Sequence, residues 1–218
     1  MKTALLFGAS GLVGSHLLNQ LIKDTNYSKI KLFVRSVPEI SNSKVQIIKT
    51  DFYNLENQKE NIKGDDCFFC IGTTKQNSPD KDEYRRVELD IPKKIAQIAK
   101  SNSINSFVFV SSGYADPKSS GDYLKFKGEV EEELKNLNFP KLKIMRPSFL
   151  LGDRKEKRVG EKIGIFVFKL LSPLFLGPLK KMKPIHSETV AKAMICSANK
   201  NLEKNVFESN EITELVLN

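Results

Sequence analysis

Two residues of the sequence, Tyr123 and Lys127, have the types and the spacing of a proton-transfer pair. Residues four positions apart on a helix share one face, so the two side chains would lie side by side. A free phenol, with a pKa of about 10, is a poor acid–base group at neutral pH, and a neighbouring ammonium lowers that pKa because it stabilises the phenolate. Such a pair could pass a proton to or from a carbonyl or an alcohol while a hydride moves.

A glycine-rich turn near the start of the chain has the pattern that holds a pyrophosphate. Gly8, Gly11 and Gly14 follow the apolar run at 4–7 and lead into the helical pattern at 12–22. Gly8 would make the turn, Gly11 would let the phosphates approach, and Gly14 would let the helix pack on the strand. The helix then presents free N–H groups to an anion. The spacing G-x-x-G-x-x-G is not the standard G-x-G-x-x-G, but the strand before it and the helix after it favour dinucleotide binding over an ordinary βα turn.

The end of the second predicted strand, at 30–34, indicates which dinucleotide would bind. NAD-binding domains carry an acidic residue there, which holds the ribose 2′-hydroxyl. Arg35 occupies this position, and no acidic residue lies between Ile30 and Val37. A guanidinium suits a 2′-phosphate through its charge and its fork of donors. The sequence therefore predicts NADP(H), with a plain surface arginine as the alternative interpretation.

Two serines, Ser111 and Ser112, follow the fifth predicted strand at 106–110. One hydroxyl at this place could orient the substrate carbonyl toward Tyr123. Because successive residues of a strand face opposite ways, only one of the two serines would face the substrate. We predict Ser112 for this role, although the sequence does not decide between the two.

Strands and helices alternate around these motifs. Apolar runs predict strands at 4–7, 30–34, 45–48, 65–71, 106–110 and 142–145. Helical patterns predict helices at 12–22, 55–62, 82–100 (kinked at Pro92), 123–137 and 187–198. This alternation is typical of an α/β fold with a doubly wound parallel sheet, the Rossmann fold, in which the ligand lies at the carboxyl ends of the strands.

After Pro147 the alternation stops. The remaining residues contain a basic loop, an apolar stretch at 163–179, the helix at 187–198 and a short tail with a late strand at 206–208. No repeat and no low-complexity linker interrupts the chain. We therefore predict a single domain over residues 1–218, with 147–218 as a small C-terminal extension on the substrate side.

Together these motifs resemble the short-chain dehydrogenase/reductases, especially the extended and atypical branches of that superfamily. The residues that carry the resemblance are the three glycines, Asp51-Phe52, Gly72, Ser112 and Tyr123-x-x-x-Lys127. The Tat-interacting-protein family of atypical reductases is similar to this sequence at Cys70-Ile71-Gly72-Thr73-Thr74, at 123–129, and at Arg146-Pro147 with Gly152-Asp153-Arg154. The resemblance covers nearly the whole chain.

The resemblance implies contacts with the phosphates of the cofactor. Ser10, Gly11 and Val13 would meet the pyrophosphate, and Arg35 and Ser36 would meet the 2′-phosphate of NADP(H).

It also implies contacts with the adenosine and nicotinamide parts. Asp51 would meet the adenine, and Gly72 and Thr73 the adenosine ribose, while the tyrosine–lysine pair would meet the nicotinamide ribose. Leu150 would approach the nicotinamide, and Arg158 would reach a phosphate. The remaining members of the predicted cofactor-binding set are Gly8, Leu12, Gly14, Phe52 and Pro147.

Composition sets further expectations. A chain of 218 residues with 40% hydrophobic and 28% charged residues is expected to be soluble and globular. Three cysteines are too few for a disulfide scaffold and indicate a reducing compartment. The first strand begins almost at Met1 and leaves no room for a signal peptide, so we expect a cytoplasmic protein.

Cys67 and Cys70 would face opposite sides of a strand, and His16 and His186 lack partners at ligand spacing, so we expect no metal site.

The net charge of +9 is spread over the sequence, and no stripe of basic and aromatic residues indicates a nucleic-acid partner.

The apolar stretch at 163–179 is too short to span a bilayer, contains Lys169 and is broken by Pro173 and Pro178. We expect it to line an apolar substrate pocket. Peripheral contact with a membrane, through the lysines at 180–183, is the less favoured alternative.

Two functional hypotheses follow. The leading one is an NADP(H)-dependent oxidoreductase acting on a small carbonyl compound or alcohol, which we expect to be hydrophobic. In it Tyr123 is the acid–base group, Lys127 lowers its pKa and holds the ribose, and Ser112 orients the substrate. The alternative is an NADP(H)-binding regulator without turnover, although such a protein has no need of the tyrosine–lysine pair. The identity of the substrate and the oligomeric state stay open.

Overall fold

Parallel strands and helices alternate along residues 1–152 and 182–217, the part of the chain that the computed structural model describes. Its strands are β1 (Lys2–Phe7), β2 (Tyr27–Val34), β3 (Val45–Lys49), β4 (Asp66–Phe69), β5 (Ser106–Val110), β6 (Lys141–Arg146), β7 (Leu150–Leu151), β8 (Ile185–His186) and β9 (Val206–Glu208). Its helices are α1 (Leu12–Lys23), α2 (Lys81–Arg85), α3 (Ile91–Ser101), α4 (Asp122–Asn136), α5 (Ser187–Asn199) and α6 (Ser209–Leu217). A short 3₁₀ helix covers Leu55–Gln58, and a π-helical segment covers Arg86–Asp90.

Seven of the described strands form one sheet in the order β3-β2-β1-β4-β5-β6-β9, and each neighbouring pair is parallel. The chain runs outward from β1 to β3, crosses back to place β4 beside β1, and then continues to the other edge. The carboxyl ends of β1 and β4 therefore lie where the direction of winding reverses, which is where doubly wound sheets bind ligands. The predicted α/β fold with a doubly wound parallel sheet is confirmed.

The side chains of β1 alternate between two apolar clusters on the two faces of the sheet. Leu5 and Phe7 pack in one cluster, on the side of α3, while Ala4 and Leu6 pack in the other, on the side of α1 and α5. All four side chains are fully buried. Because helices cover both faces, a central strand is apolar on both sides, as the run at 4–7 indicates.

The turn between β1 and α1 depends on two glycines. Gly8 has a φ of +90°, a conformation that residues with a Cβ rarely adopt. A Cβ added to Gly14 would lie 2.1 Å from the carbonyl oxygen of Gly8, so α1 approaches β1 this closely only because residue 14 is glycine. The turn assigned to Gly8 and the helix packing assigned to Gly14 agree with this geometry.

The helix predicted at 82–100 is divided in the structure. The first part, α2, ends at Arg85, the π-helical segment follows, and α3 begins at Ile91. Pro92 lies at the start of α3, near the position where a helix tolerates the missing N–H. The sequence predicts a distortion at this proline, but it does not predict that the distortion is a wider π-turn located before it.

Two other predicted elements are shorter in the structure. The helix predicted at 55–62 is a 3₁₀ helix of four residues, and the strand predicted at 65–71 ends at Phe69. Phe69 pairs with Phe7, the last residue of β1, so the ladder between the two strands stops there.

The described part of the C-terminal segment extends the sheet and covers one face. β9 pairs in parallel with β6, which confirms the strand predicted at 206–208. The residues after it form α6 and not the predicted tail, because Ile212 packs in the apolar cluster that contains Leu6. β7 and β8 form a small second sheet that was not predicted. The single domain over 1–218, with 147–218 as its extension, stays a prediction.

Within residues 1–152 and 182–217, no helix has both the length and the apolar composition that crossing a bilayer requires. The apolar stretch at 163–179 lies outside the described residues, and so does Arg158.

Replacing Gly14 with alanine should destabilise the fold. The added methyl group would meet the Gly8 carbonyl oxygen at 2.1 Å, so strand and helix must separate, and overpacking of this kind costs about 1–3 kcal/mol. Gly121→Ala is the matched control, because its added Cβ would have the Ser119 hydroxyl, at 3.9 Å, as its nearest neighbour. Urea unfolding followed by circular dichroism measures both variants. Equal unfolding midpoints for the two would contradict the predicted clash.

Candidate functional site

A cavity of about 530 Å³ opens at the carboxyl ends of β1, β2 and β4, where the topology places a ligand. Many residues of the predicted cofactor-binding set line it: Gly8, Ser10, Gly11, Arg35, Ser36, Asp51, Phe52, Gly72 and Thr73. These residues come from four separate segments of the chain. The sheet brings them together because each segment follows the carboxyl end of one of its parallel strands.

The start of α1 forms one end of this cavity. Gly11 is the residue that precedes the helix, and, being glycine, it has no side chain with which to cap the first N–H groups. Those donors and the positive end of the helix dipole can therefore receive an anion. Val13 and Gly14 are buried under the turn, and with Leu12 they lie outside the cavity lining, so only their backbone N–H groups could take part.

Beyond the start of α1, four charged side chains line the cavity. They are Arg35, as predicted, with Asp51, Glu83 and Arg86. Arg86 donates two hydrogen bonds of 2.7 Å to the Glu83 carboxylate, and its guanidinium stacks on the Tyr53 ring at 3.7 Å. The hydrogen bond from Arg86 lowers the pKa of Glu83, and the charge of Arg35 acts in the same direction.

Glu83 and Arg86 are not among the site residues predicted from the sequence. The signal that could have found the pair is the spacing of an acid and a base three residues apart on a helix. That spacing is common on solvated helices, so it does not by itself indicate a site.

The loop after β3 turns sharply where Asp51 and Phe52 line the cavity. Phe52 has a φ of +63°, and its N–H donates to the Thr50 hydroxyl at 3.2 Å. The Asp51 carboxylate accepts a hydrogen bond of 2.9 Å from the N–H of Tyr53. A residue other than glycine in this left-handed conformation is strained, and proteins retain such strain most often at binding sites.

Tyr123 and Lys127 lie on the same face of α4, as their spacing predicts. The Lys127 Nζ is 5.8 Å from the centre of the Tyr123 ring. The tyrosine is 39% exposed, whereas the lysine is buried. Neither residue lines the cavity described above, but a Cβ added to Gly72, which does line it, would lie 3.8 Å from the Lys127 Nζ. The pair therefore lies just beyond the β4 end of the cavity.

The ammonium of Lys127 forms an ion pair with Glu88, a residue that the sequence motifs do not predict. The Glu88 Oε2 lies 2.9 Å from the Lys127 Nζ, and both side chains are almost completely buried. The other carboxylate oxygen of Glu88 accepts a hydrogen bond from the backbone N–H of Thr73. A possible signal was an acidic residue within an otherwise apolar helical face, four residues after Tyr84 and three before Ile91.

Burial and charge oppose each other in their effect on the pKa of Lys127, but they act together on the pKa of Tyr84. Burial lowers the pKa of Lys127, but the charges of Glu88 and Tyr123 outweigh it, so the net shift is upward. Burial, reinforced by Glu88 and Tyr123, raises the pKa of the neighbouring Tyr84 to about 12. The ammonium form of Lys127 is therefore favoured over a wide pH range.

The two serines after β5 have different surroundings. Ser111 is buried, and its hydroxyl donates to the Glu131 carboxylate at 2.6 Å, which also binds Arg146. Ser112 is half-buried, and its hydroxyl makes a 3.3 Å hydrogen bond to the carbonyl of Gly113. Because Ser111 already serves this internal network, Ser112 is the better placed of the two to reach a ligand.

The remaining predicted residues lie near β6 or outside the described chain. Pro147 is buried, and its carbonyl accepts a hydrogen bond of 2.8 Å from Gly113. Leu150 belongs to β7 and packs against the apolar cluster that contains Leu6. Neither lines the cavity, and Arg158 is not among the described residues.

Cys70 lines the cavity as a thiol. Its sulfur lies 3.9 Å from that of Met194, and burial raises its pKa to about 12 although the charge of Lys127 opposes the shift. A thiol with so high a pKa is a poor nucleophile and a poor metal ligand at neutral pH. Among the described residues, no group of three or more His, Cys, Asp or Glu side chains could hold a metal ion.

The sequence matches a family model described as NAD(P)H-binding over residues 8–166. It is 32% identical to "Protein FMP52, mitochondrial" of Candida glabrata, over 100% of this chain and 97% of the relative. Protein FMP52-1, mitochondrial, of Scheffersomyces stipitis is 30% identical over 98% of each chain. Protein HTATIP2 of Rattus norvegicus is 36% identical over 73% of this chain and 67% of that protein.

Solved structures with the same fold are more distant in sequence. The Bordetella bronchiseptica enzyme WbmH, in complex with NAD⁺, has a TM-score of 0.70 at 15% identity, over 95% of this chain and 74% of that one. A UDP-N-acetylglucosamine 4-epimerase from Methanobrevibacter ruminantium has a TM-score of 0.69 at 19% identity, over 94% of this chain and 75% of that one.

The expectation of a cytoplasmic protein is contradicted by these comparisons. FMP52 proteins from three fungi, Scheffersomyces stipitis, Candida glabrata and Emericella nidulans, are all designated mitochondrial. A low cysteine count indicates a reducing environment, but it does not distinguish the cytoplasm from other reducing compartments.

The resemblance to the atypical reductases is confirmed, and a nicotinamide dinucleotide is the class of cofactor that the matched family binds. The chain therefore belongs to the NAD(P)H-binding family and is an atypical short-chain dehydrogenase/reductase with a Rossmann fold, related to the Tat-interacting proteins.

Proposed function

We propose that this protein is an NADP(H)-dependent oxidoreductase that transfers a hydride to or from a carbonyl or alcohol substrate. The observation that carries the proposal is the position of Tyr123 and Lys127 at the β4 end of the cavity. A pure binding protein would need the glycine turn and the cavity, but not a phenol held beside a buried ammonium.

The residues around the cavity suit a dinucleotide with a 2′-phosphate. The glycine turn leaves the backbone open, and the start of α1 offers uncapped N–H donors for the pyrophosphate. At the other end, Arg35 and Ser36 line the cavity, and Arg35 would receive the 2′-phosphate. Arg86 is less available for that role because Glu83 already occupies its guanidinium.

When bound, NADP(H) supplies or accepts the hydride. In the proposed mechanism the Tyr123 hydroxyl gives its proton to the carbonyl oxygen of the substrate, or takes one from the alcohol in the reverse direction. Lys127 stabilises the resulting phenolate through its charge and holds the nicotinamide ribose. Ser112 would orient the substrate oxygen.

Two exposed aromatic residues support a hydrophobic substrate. Tyr114 follows β5 and Phe149 follows β6, and they are 57% and 55% exposed. The loops that carry them touch, because a Cβ added to Gly113 would lie 3.5 Å from Ser148. Both rings are therefore at the carboxyl edge of the sheet, on the substrate side of the proposed site.

A regulator that binds NADP(H) without turnover is the second candidate. The observation that favours it is the ion pair of Lys127 with Glu88, because a neutralised ammonium stabilises a phenolate less than a free one. The two candidates differ in whether any carbonyl compound is turned over.

Arg35→Asp should weaken NADPH binding selectively, because it places a carboxylate where the 2′-phosphate would lie. Loss of a charged hydrogen bond corresponds to about 1.5–3 kcal/mol, or roughly a tenfold weaker Kd or more, with a smaller change for NADH. Fluorescence titration with NADPH and NADH measures both affinities. Lys29→Asp is the control, since it makes the same charge change on an exposed residue near the amino end of β2. Equal or tighter binding of NADH by the unaltered protein would refute the choice of NADP(H).

Tyr123→Phe should remove most turnover and leave NADPH affinity nearly unchanged. Loss of a general acid–base group typically lowers kcat by about 10²–10⁴-fold. The assay is NADPH oxidation with a panel of hydrophobic aldehydes and ketones. Tyr53→Phe, which removes the hydroxyl of an exposed tyrosine outside α4, should keep full activity. Unchanged kcat in Tyr123→Phe would exclude Tyr123 as the acid–base group, and a panel without any substrate would favour the regulator.

A further inference from the structure

We propose that Glu88 is a positioning residue of this site, which keeps Lys127 charged and ties it to the cofactor-binding loop at Thr73. The proposal builds on the proposed function, since it concerns how the lysine of that site is held. It assigns a role to a residue outside the Tyr-x-x-x-Lys motif.

The Glu88 carboxylate connects two elements that are distant in sequence. One oxygen lies 2.9 Å from the Lys127 Nζ on α4. The other accepts a hydrogen bond from the backbone N–H of Thr73, which follows β4. Glu88 is 0% exposed and Lys127 is 3% exposed. A Cβ added to Gly72 would lie 3.3 Å from a Glu88 oxygen and 3.8 Å from the Lys127 Nζ, so loop, carboxylate and ammonium pack against one another.

A buried ammonium needs an anion to stay charged, because burial alone favours the neutral amine. Among the described residues, the groups that act on Lys127 are Glu88 from the π-helical segment, Tyr123 from its own helix, Cys70 directly after β4, and the Phe109 ring of β5. Cys70 stays a neutral thiol at neutral pH, since burial raises its pKa to about 12. Glu88 is the carboxylate of this group, and it supplies the compensating charge.

The backbone around Glu88 provides a second, independent observation. Glu88 lies in the π-helical segment between α2 and α3, and π-turns within helices are frequent at functional sites. Tyr84 before this turn and Ile91 after it are both buried. The wider turn lets the helix keep its apolar face in the core on either side while Glu88 points to Lys127.

If Glu88 has this role, its charge decides the pH range over which Lys127 is an ammonium. In Glu88→Gln the amide cannot compensate the cost of burial, so the pKa of Lys127 falls. The population of a cationic amine decreases as pH rises through its pKa. The variant should therefore lose the ammonium, and with it the ribose contact, at a pH where the unaltered protein keeps both.

The test follows the Lys127 ammonium directly by NMR of protein labelled at the lysine side chains, with Lys127→Met identifying its signal. In Glu88→Gln the titration of Lys127 should move at least about two pH units lower, since buried lysines shift by up to 3–5 units. The Kd for NADPH should rise about tenfold through the same pH interval. Glu132→Gln, an exposed glutamate on α4, is the control and should change neither quantity.

Glu88→Asp keeps the charge but shortens the side chain. It therefore distinguishes the effect of the charge from the effect of side-chain length, and it is the variant to use if Glu88→Gln does not fold. It should leave the titration of Lys127 near that of the unaltered protein and weaken NADPH binding, because one carboxylate can no longer reach both partners. An unshifted Lys127 titration in Glu88→Gln, or full NADPH affinity at every pH in both variants, would overturn the proposal. Neither readout needs turnover, so this result and that of Tyr123→Phe can fail independently.

Discussion

The contact between the backbones of Gly8 and Gly14 is the constraint on which the rest of this structure depends. A side chain on Gly14 would overlap the Gly8 carbonyl, and a side chain on Gly8 would lie 2.7 Å from the backbone of Cys70 and Ile71. Three elements, β1, α1 and the end of β4, therefore meet at one peptide. Their meeting point sets the direction of α1, and with it the place where the N–H groups of the helix face the cavity.

Charged groups lie in the lining of the cavity that begins at this point and just beyond its β4 end, and they are compensated in different ways. At the end that contains Arg35, Arg86 is neutralised by Glu83, and both side chains of this pair are partly exposed. At the β4 end, Lys127 is neutralised by Glu88 with almost no exposure to water. Solvent screens the first pair strongly and the second very little, so the second has the larger influence on protonation.

The comparisons and the site contribute different parts of the functional argument. Relatives about 30% identical over almost the whole chain establish the family, while solved structures below 20% identity establish only the fold. Doubly wound folds of this kind carry many reactions, so fold alone does not identify a substrate. The proposed reaction therefore depends on Tyr123 and Lys127, and the proposed substrate class on the aromatic residues after β5 and β6.

The sequence by itself determined the features that local patterns encode. The glycine turn, the strand–helix alternation and the shared face of Tyr123 and Lys127 could all be predicted, because each depends on residues close together in the chain. Only the tertiary structure decided that Glu88 pairs with Lys127, that the Ser111 hydroxyl donates its hydrogen bond to Glu131, and that the segment before Pro92 forms a π-turn. The two pairs join residues that are 39 and 20 positions apart, and the π-turn depends on how a helix must turn to keep its apolar face in the core. The burial that gives a single glutamate its role exists only after the sheet and its helices have packed together.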